Sequence, residues 1–490
     1  MRIGFRHGLV GAAAAVTVAV TVTALAASSS TSYARGSAIG PAWTGFANNA
    51  QHTAVAPASP QPLNSVHWQV TVDHKPSCCE DGPIAHYASP MITGANTVVV
   101  PVRLGPTKGF VLKAFNGADG TKKWTLPTDY TPPLGATFEW PAPIPATLDG
   151  DTVAVAGAGG TILIRSSPDG TGSVHRVAFY GIDNYRAHRA RYRDAVQITT
   201  PLTTGGDGSL YFGFSAASGA PGGLRNGLAR ISPFGEGSWV SARKLGGVHK
   251  VTRIALNCAP ALSNDGTTGY VTVVTGQKGR LVGFNATSLK PKYVHRLRDP
   301  QTHNWAEISG SSTATPTVGP DGDVFYGVLG NPILKHDIRG WLLHFDPTLE
   351  HLRTPGSFGW DQTVSVIPSS SVPSYTGGSS YLLVSKYNNY LIGKHGDGRN
   401  EIALLDPGAA QKDRFSHVQV MREVRTVLAP VHVPHSPKGS RYEWCVNSIV
   451  VDPATGSAIA NNEDGHVYRW DLETGALVDD LEIGPPAGQA

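Results

Sequence analysis

Proline returns along this chain at nearly even intervals. Pro90, Pro145, Pro201, Pro260, Pro316 and Pro368 are separated by 55, 56, 59, 56 and 52 residues. A fixed period of that length belongs to stacked repeats rather than to a string of unrelated domains. Proline sits most easily at the first residue of a strand, where its missing N–H costs least, so each one is read as opening a repeat. Turn residues follow most of them: Gly94-Ala95-Asn96, Asp149-Gly150, Asp207-Gly208, Asn264-Asp265-Gly266, Asp321-Gly322 and Gly377-Gly378. Such pairs supply the positive φ of tight hairpins. Short β-prone runs come next, from Thr97, Thr152, Ser209, Gly269, Asp323 and Ser380, and are read as second strands buried between neighbouring sheets. Third strands are read from Gly109, His175, Asn226, Gly279, Gly340 and Asn400, and a seventh unit occupies Asn447 to Gly475.

The expectation is an all-β chain: a seven-bladed β-propeller of four-stranded antiparallel blades over residues 85–484, with eight blades as the alternative. No segment of comparable length carries helical periodicity. The arginine-rich stretch from Tyr185 to Asp194 is read as a solvated loop between blades. Residues 27–84, with Trp43 and Trp68, are expected to include a strand that closes the ring or covers its edge, and 485–490 form a tail.

Arg2, Arg6 and His7 precede an Ala/Val/Thr run from Leu9 to Leu25, and Ala24-Leu25-Ala26 supplies small residues for cleavage. Residues 1–26 therefore read as a secretory signal peptide, with secretion to an extracytoplasmic compartment and no integral membrane segment once it is removed. The formal charge of +4 falls to +2 without Arg2 and Arg6, and charged residues make up only 16% of the chain with no long basic run. That composition lacks the electrostatic footprint of a nucleic-acid partner.

The segment Ala114-Phe115-Asn116-Gly117-Ala118-Asp119-Gly120-Thr121-Lys122-Lys123-Trp124 resembles the tryptophan-docking repeat of the quinoprotein-like β-propellers. Trp470-Asp471-Leu472-Glu473-Thr474-Gly475 keeps the Asp and Thr-Gly of the same pattern, and Phe284-Asn285 and Phe345-Asp346 keep fainter traces. In that family the tryptophan of one blade packs against the next. The resemblance implies a propeller and leaves activity open, since the superfamily holds both pyrroloquinoline-quinone dehydrogenases and non-catalytic propellers. It also raises a vicinal Cys78-Cys79 disulfide set against a pyrroloquinoline quinone with calcium, as in the quinoprotein alcohol dehydrogenases.

In such blades the segments leading into first strands and those joining second to third strands lie on one face, which gathers residues scattered in sequence. The rim candidates for binding an unidentified small molecule, glycan or protein are His86, Tyr87, Trp140, His303, Trp305, Glu307, His336, Arg339, Lys386, Tyr387, Asn388, Asn389, Glu443, Trp444, Asn447, Asn462 and Glu463. Aromatic and polar groups in one concavity suit a ligand pocket. Cys78, Cys79, Cys258 and Cys445 are the disulfide candidates in an exported chain, with Cys78 or Cys79 to Cys445 as the bridge that would tie the ring. Two function classes remain open. One is a binding or scaffold propeller. The other is an enzyme: a quinone-dependent dehydrogenase, a lyase using His303, His336 or Lys386 with Arg339, or a hydrolase using a carboxylate pair such as Glu307 and Glu443.

Overall fold

The computed structural model describes residues 40–72, 78–79, 82–83, 89–104, 109–130, 147–308, 314–390, 398–436 and 439–486. Residues 1–26, read above as a signal peptide, and His86, Tyr87 and Trp140 lie outside them, as do the side chains of Cys78 and Cys79. Every β-prone run read from the repeat is a strand, and the strands form seven small antiparallel sheets, the blades of a propeller. The blades span 91–127, 147–178, 196–241, 253–296, 317–352, 365–428 and 450–482, numbered 1 to 7 in chain order. Seven, not eight, is the count. Blade 5 has three strands closed by an isolated bridge between Phe345 and Leu352.

Three local readings differ from the observed elements. In blade 2 the third strand is Thr161–Arg165, and the run at His175 is the fourth, Val174–Ala178. Pro368 closes the first strand of blade 6 rather than opening it, because Ser365–Pro368 pairs backwards onto Tyr381. The arginine-rich stretch forms two short helices, Ile182–Ala187 and Arg189–Ala195. Tyr185 and Tyr192 point inward from them and are buried, and Tyr192 stacks on Tyr180 at 4.1 Å. One buried tyrosine on each short helix anchors its inward face, whatever the charge of the other.

The apolar core is a series of layers between blades. Met91, Val99 and Leu112 meet Val153 and Leu163 between blades 1 and 2. Phe179, Phe212 and Phe214 fill the next layer, and a larger cluster from Tyr211 to Trp341 joins blades 3 to 5. Phe325, Leu342 and Tyr381 join blades 5 and 6, and Leu382, Leu404, Trp444 and Trp470 join 6 and 7. The docking motif does what its family resemblance implies. Trp124 of blade 1 donates its indole N–H to the Pro168 carbonyl of blade 2 at 2.7 Å, with the Arg165 guanidinium 4.4 Å above the ring.

Residues 43–56 circle the propeller axis and bond to first strands in turn. Trp43 exchanges two backbone hydrogen bonds with Ile92 in blade 1, and Thr44 accepts from the Thr147 hydroxyl in blade 2. Ala50 then accepts from Leu262 N–H in blade 4, Gln51 from Val318 in blade 5, Thr53 from Val366 in blade 6 and Ala54 from Val451 in blade 7, at 2.8–3.0 Å. The curl is made by positive φ at Ala47, Asn48, His52 and Ala54. His52 is fully buried there, its Nδ1 2.8 Å from the Pro316 carbonyl. Ile92, Leu262 and Val318 are the last residues of their first strands, whereas Thr147 and Pro316 stand at or before a first-strand start, so the arm runs along the inner edges of the first strands.

The chain then crosses from blade 7 to blade 1. The Arg469 guanidinium donates to the carbonyls of Pro60 and Gln61, Asp479 accepts from Leu63 N–H, and the Trp68 indole donates to Gly117 at 2.8 Å. Gly120, at φ +71°, lies under the Trp68 ring, where a Cβ would come within 2.7 Å of it. Instead of a ring-closing strand, the described N-terminal region makes only isolated bridges, Trp43 to Ile92 and Val55 to Val451.

Candidate functional site

Four chain segments converge between blades 6 and 7. They are the lead-in to blade 6 at Asp361, its second-to-third connection at 386–390, the lead-in to blade 7 at 443–447, and the second-to-third connection of that blade at 462–464. Backbone polar groups stitch them together. The Asn388 side chain donates to the Trp444 carbonyl and accepts from Trp444 N–H, both at 3.4 Å. Lys386 N–H reaches Gln362 Oε1 at 2.9 Å, and its Nζ donates to the Asp361 carbonyl at 3.0 Å. Glu463 N–H bonds to the Glu443 carbonyl at 3.0 Å, and Asn461 reaches the Cys445 carbonyl at 3.1 Å. Asp361 itself has φ +48°, a conformation a non-glycine residue holds only when its surroundings fix it.

The charges in this cleft are unusual. Glu443 and Glu463 are half-buried neighbours. Burial, and then the like charge of Glu463, push the Glu443 carboxyl up to about 7 against the opposing pull of Lys386. Burial raises Glu463 too, opposed by a hydrogen bond from the Cys445 thiol and by Lys386. Cys445 is exposed as a residue, yet burial of its sulfur, against the pull of Lys386, pushes its thiol up to about 11. Tyr390, in the field of Glu443 and Asp361, is raised well above its ordinary range by burial. Near neutral pH the pair of glutamates therefore holds a proton.

The other rim candidates fall into two further places. Between blades 5 and 6, His336 and Arg339 are buried and spent on structure. His336 stacks flat on Trp341 at 3.7 Å, with Nδ1 facing the Gly340 carbonyl and Nε2 3.0 Å from Asp413. Burial opposes ionisation of Asp413, but hydrogen bonds from His336, Ser357 and Ser416 outweigh it and hold the carboxyl at about 2. Arg339 donates to the carbonyls of Ser357, Tyr387 and Asn388, its guanidinium 4.4 Å from the Phe415 ring centre. Asn389 is buried behind this clamp, and Asn462 is buried in blade 7. Asp413, in the long hairpin of blade 6, carried no signal in the sequence; only its position beside His336 reveals it.

His303, Trp305 and Glu307 lie on the connection from blade 4 to blade 5, with His303 exposed and the other two half-buried. Glu307 is not among the charges acting on Glu443, whose carboxylate partner is Glu463. Asn447 links the two blades at the cleft, accepting Thr363 N–H at 2.8 Å. Cys258 is interior, packed in the layer joining blades 3 to 5, and neither it nor Cys445 forms a disulfide. Among the described residues no three Cys, His, Asp or Glu side chains converge as a metal-ligand set, and no helix is long and apolar enough to cross a membrane.

No protein-family model matches the chain, and neither does any curated protein. Solved structures do. A europium-containing methanol dehydrogenase aligns over 91% of this chain and 86% of its own at 10% identity, with a TM-score of 0.52. The quinohemoprotein alcohol dehydrogenase from Comamonas testosteroni aligns over 91% and 74% at 9% identity and 0.51. BamB from Moraxella catarrhalis aligns over 76% and 79% at 15% identity and 0.39. Likeness at these identities is likeness of fold, and the shared fold is the β-propeller.

Proposed function

We propose that this quinoprotein-like propeller is an exported binding protein that holds a small polar ligand, a sugar or an amine, in the acidic cleft between blades 6 and 7. One observation carries the reading: Glu443 and Glu463 are held side by side, half out of water, beside Lys386, Cys445 and Tyr390. Crowding two carboxylates raises the energy of the empty site. A ligand offering hydrogen-bond donors or a positive charge relieves that repulsion, which supports binding at this place. A panel of hexoses, amino sugars and primary amines, titrated calorimetrically at pH 6 and pH 8, tests it. Glu443→Gln and Lys386→Ala should each weaken the best ligand by about tenfold, in line with losing one charged hydrogen bond. Unchanged affinity in both variants sinks the reading.

The same pair favours a second reading. A carboxyl near 7 beside an ionised carboxylate is what a general acid requires, so Glu443 would hand a proton to a leaving oxygen while Glu463 stays charged. A panel of chromogenic glycosides and a Glu443→Gln comparison tests it: turnover abolished by the variant supports it, and no turnover by the wild type ends it. The vicinal Cys78-Cys79 setting expected for pyrroloquinoline quinone with calcium lies outside the described side chains, and among the described residues no three Cys, His, Asp or Glu side chains converge.

A further inference from the structure

On the same face as the cleft, at the outer edge of blade 4, three arginines crowd one tryptophan. The guanidinium carbons of Arg280, Arg296 and Arg298 lie 5.0, 5.7 and 5.9 Å from the centre of the Trp305 ring. Arg280 and Arg296 sit directly opposite each other in the sheet, and Arg298 is bridged to Trp305. Like charges placed opposite one another destabilise a strand pair. Contacts with the ring offset that repulsion only weakly at an exposed site.

Nine described arginines, Arg176, Arg186, Arg189, Arg230, Arg353, Arg399, Arg414, Arg422 and Arg469, have a carboxylate within 4 Å, while Arg165, Arg339 and Arg441 are spent on backbone carbonyls. Among the described residues no carboxylate comes that close to Arg280, Arg296 or Arg298. The nearest acid in sequence, Asp299, is buried and already accepts the backbone N–H groups of Gln301, Thr302 and Asn331. Arg296, Arg298 and His303 are exposed, and Arg280 and Trp305 are half-buried. The strand carrying Arg296 is the free edge of its sheet.

We propose that this Arg280–Arg296–Arg298–Trp305 cluster is a docking site for an acidic polysaccharide. Charge alone calls for an anion, and planar guanidinium forks suit carboxylate and sulfate groups. A single anion on an exposed surface gains little, so the occupant must carry several charges. Nucleic acid fits less well, because the guanidiniums lie over the indole where a base would stack and the chain lacks a longer basic stripe.

Immobilised heparin is the probe, with uncharged dextran, single-stranded DNA and poly-glutamate beside it. Heparin should bind the wild type in 50 mM salt and release it as salt rises, with a log–log slope reflecting about three displaced counterions. Arg280→Gln/Arg296→Gln/Arg298→Gln should weaken binding at least about tenfold and flatten that slope, and Trp305→Ala should weaken it as well. Glu443→Gln, in the separate cleft, should leave it unchanged. Retention within twofold in the triple variant overturns the proposal, provided its melting temperature is unaltered. Equal affinity for dextran, for the DNA or for poly-glutamate overturns the polysaccharide assignment.

Discussion

At the scale of single residues, Glu443 makes the clearest claim. A carboxyl raised from 4.5 to about 7 on folding means that the folded chain binds a proton the unfolded chain has released. Stability is therefore favoured below pH 4.5 and lost as pH rises towards 7. The melting temperature should fall between pH 5 and pH 8, and Glu443→Gln should remove most of that slope; a slope unchanged in the variant would contradict the assignment. His52 works in the opposite direction. Burial lowers it from 6.5 to about 4, so its contribution is lost as pH falls below 6.5, and comparing variants one at a time separates the two. The sequence placed Lys386 and Glu443 on one rim because strand order alone dictates which connections share a face. It could not pair Glu443 with Glu463, since that depends on the backbone bond joining their two connections. Nor could it tell that Arg339, as polar on paper as Lys386, is consumed by three buried carbonyls.

At the scale of elements, the repeat was legible because each strand needs a turn and each turn needs glycine, asparagine or aspartate. Where a hairpin departs from that economy the reading slipped. Blade 2 makes its third strand from Thr161–Arg165 after a tight glycine corner at Gly159 and Gly160, and blade 6 joins its first two strands through a twelve-residue excursion from Ser369 to Ser380. The docking tryptophan shows what one element contributes to its neighbour. Trp124→Ala removes a half-buried indole, its hydrogen bond to Pro168 and its contact with Arg165. Urea denaturation should register a loss of about 2–3 kcal/mol, below the 3–5 kcal/mol of a fully buried tryptophan. A change under about 0.5 kcal/mol, the usual range for surface positions, would mean that the ring adds nothing between blades 1 and 2.

At the scale of the whole molecule, the ring has one seam unlike the rest. Apolar layers join blades 1 through 7 in succession, whereas the described contacts between blade 7 and blade 1 run through residues 60–72. Replacing residues 60–72 by a glycine-serine segment of equal length, with the arm at 43–56 kept, should therefore raise amide hydrogen exchange first in blades 1 and 7 and spare blades 3 to 5; uniform deprotection would refute a local seam. The same arm sets an order of events. Trp43 to Ala56 precede their last partner by most of the propeller, because Ala54 and Ala56 bond to Val451. Contacts so distant in sequence form slowly, and a ribosome must deliver all seven blades up to Val451 before the arm can settle. An arm made before blade 1 and fastened by blade 7 thus stays unfastened through synthesis of the blades between, and a copy that stops short of Val451 remains an open arc.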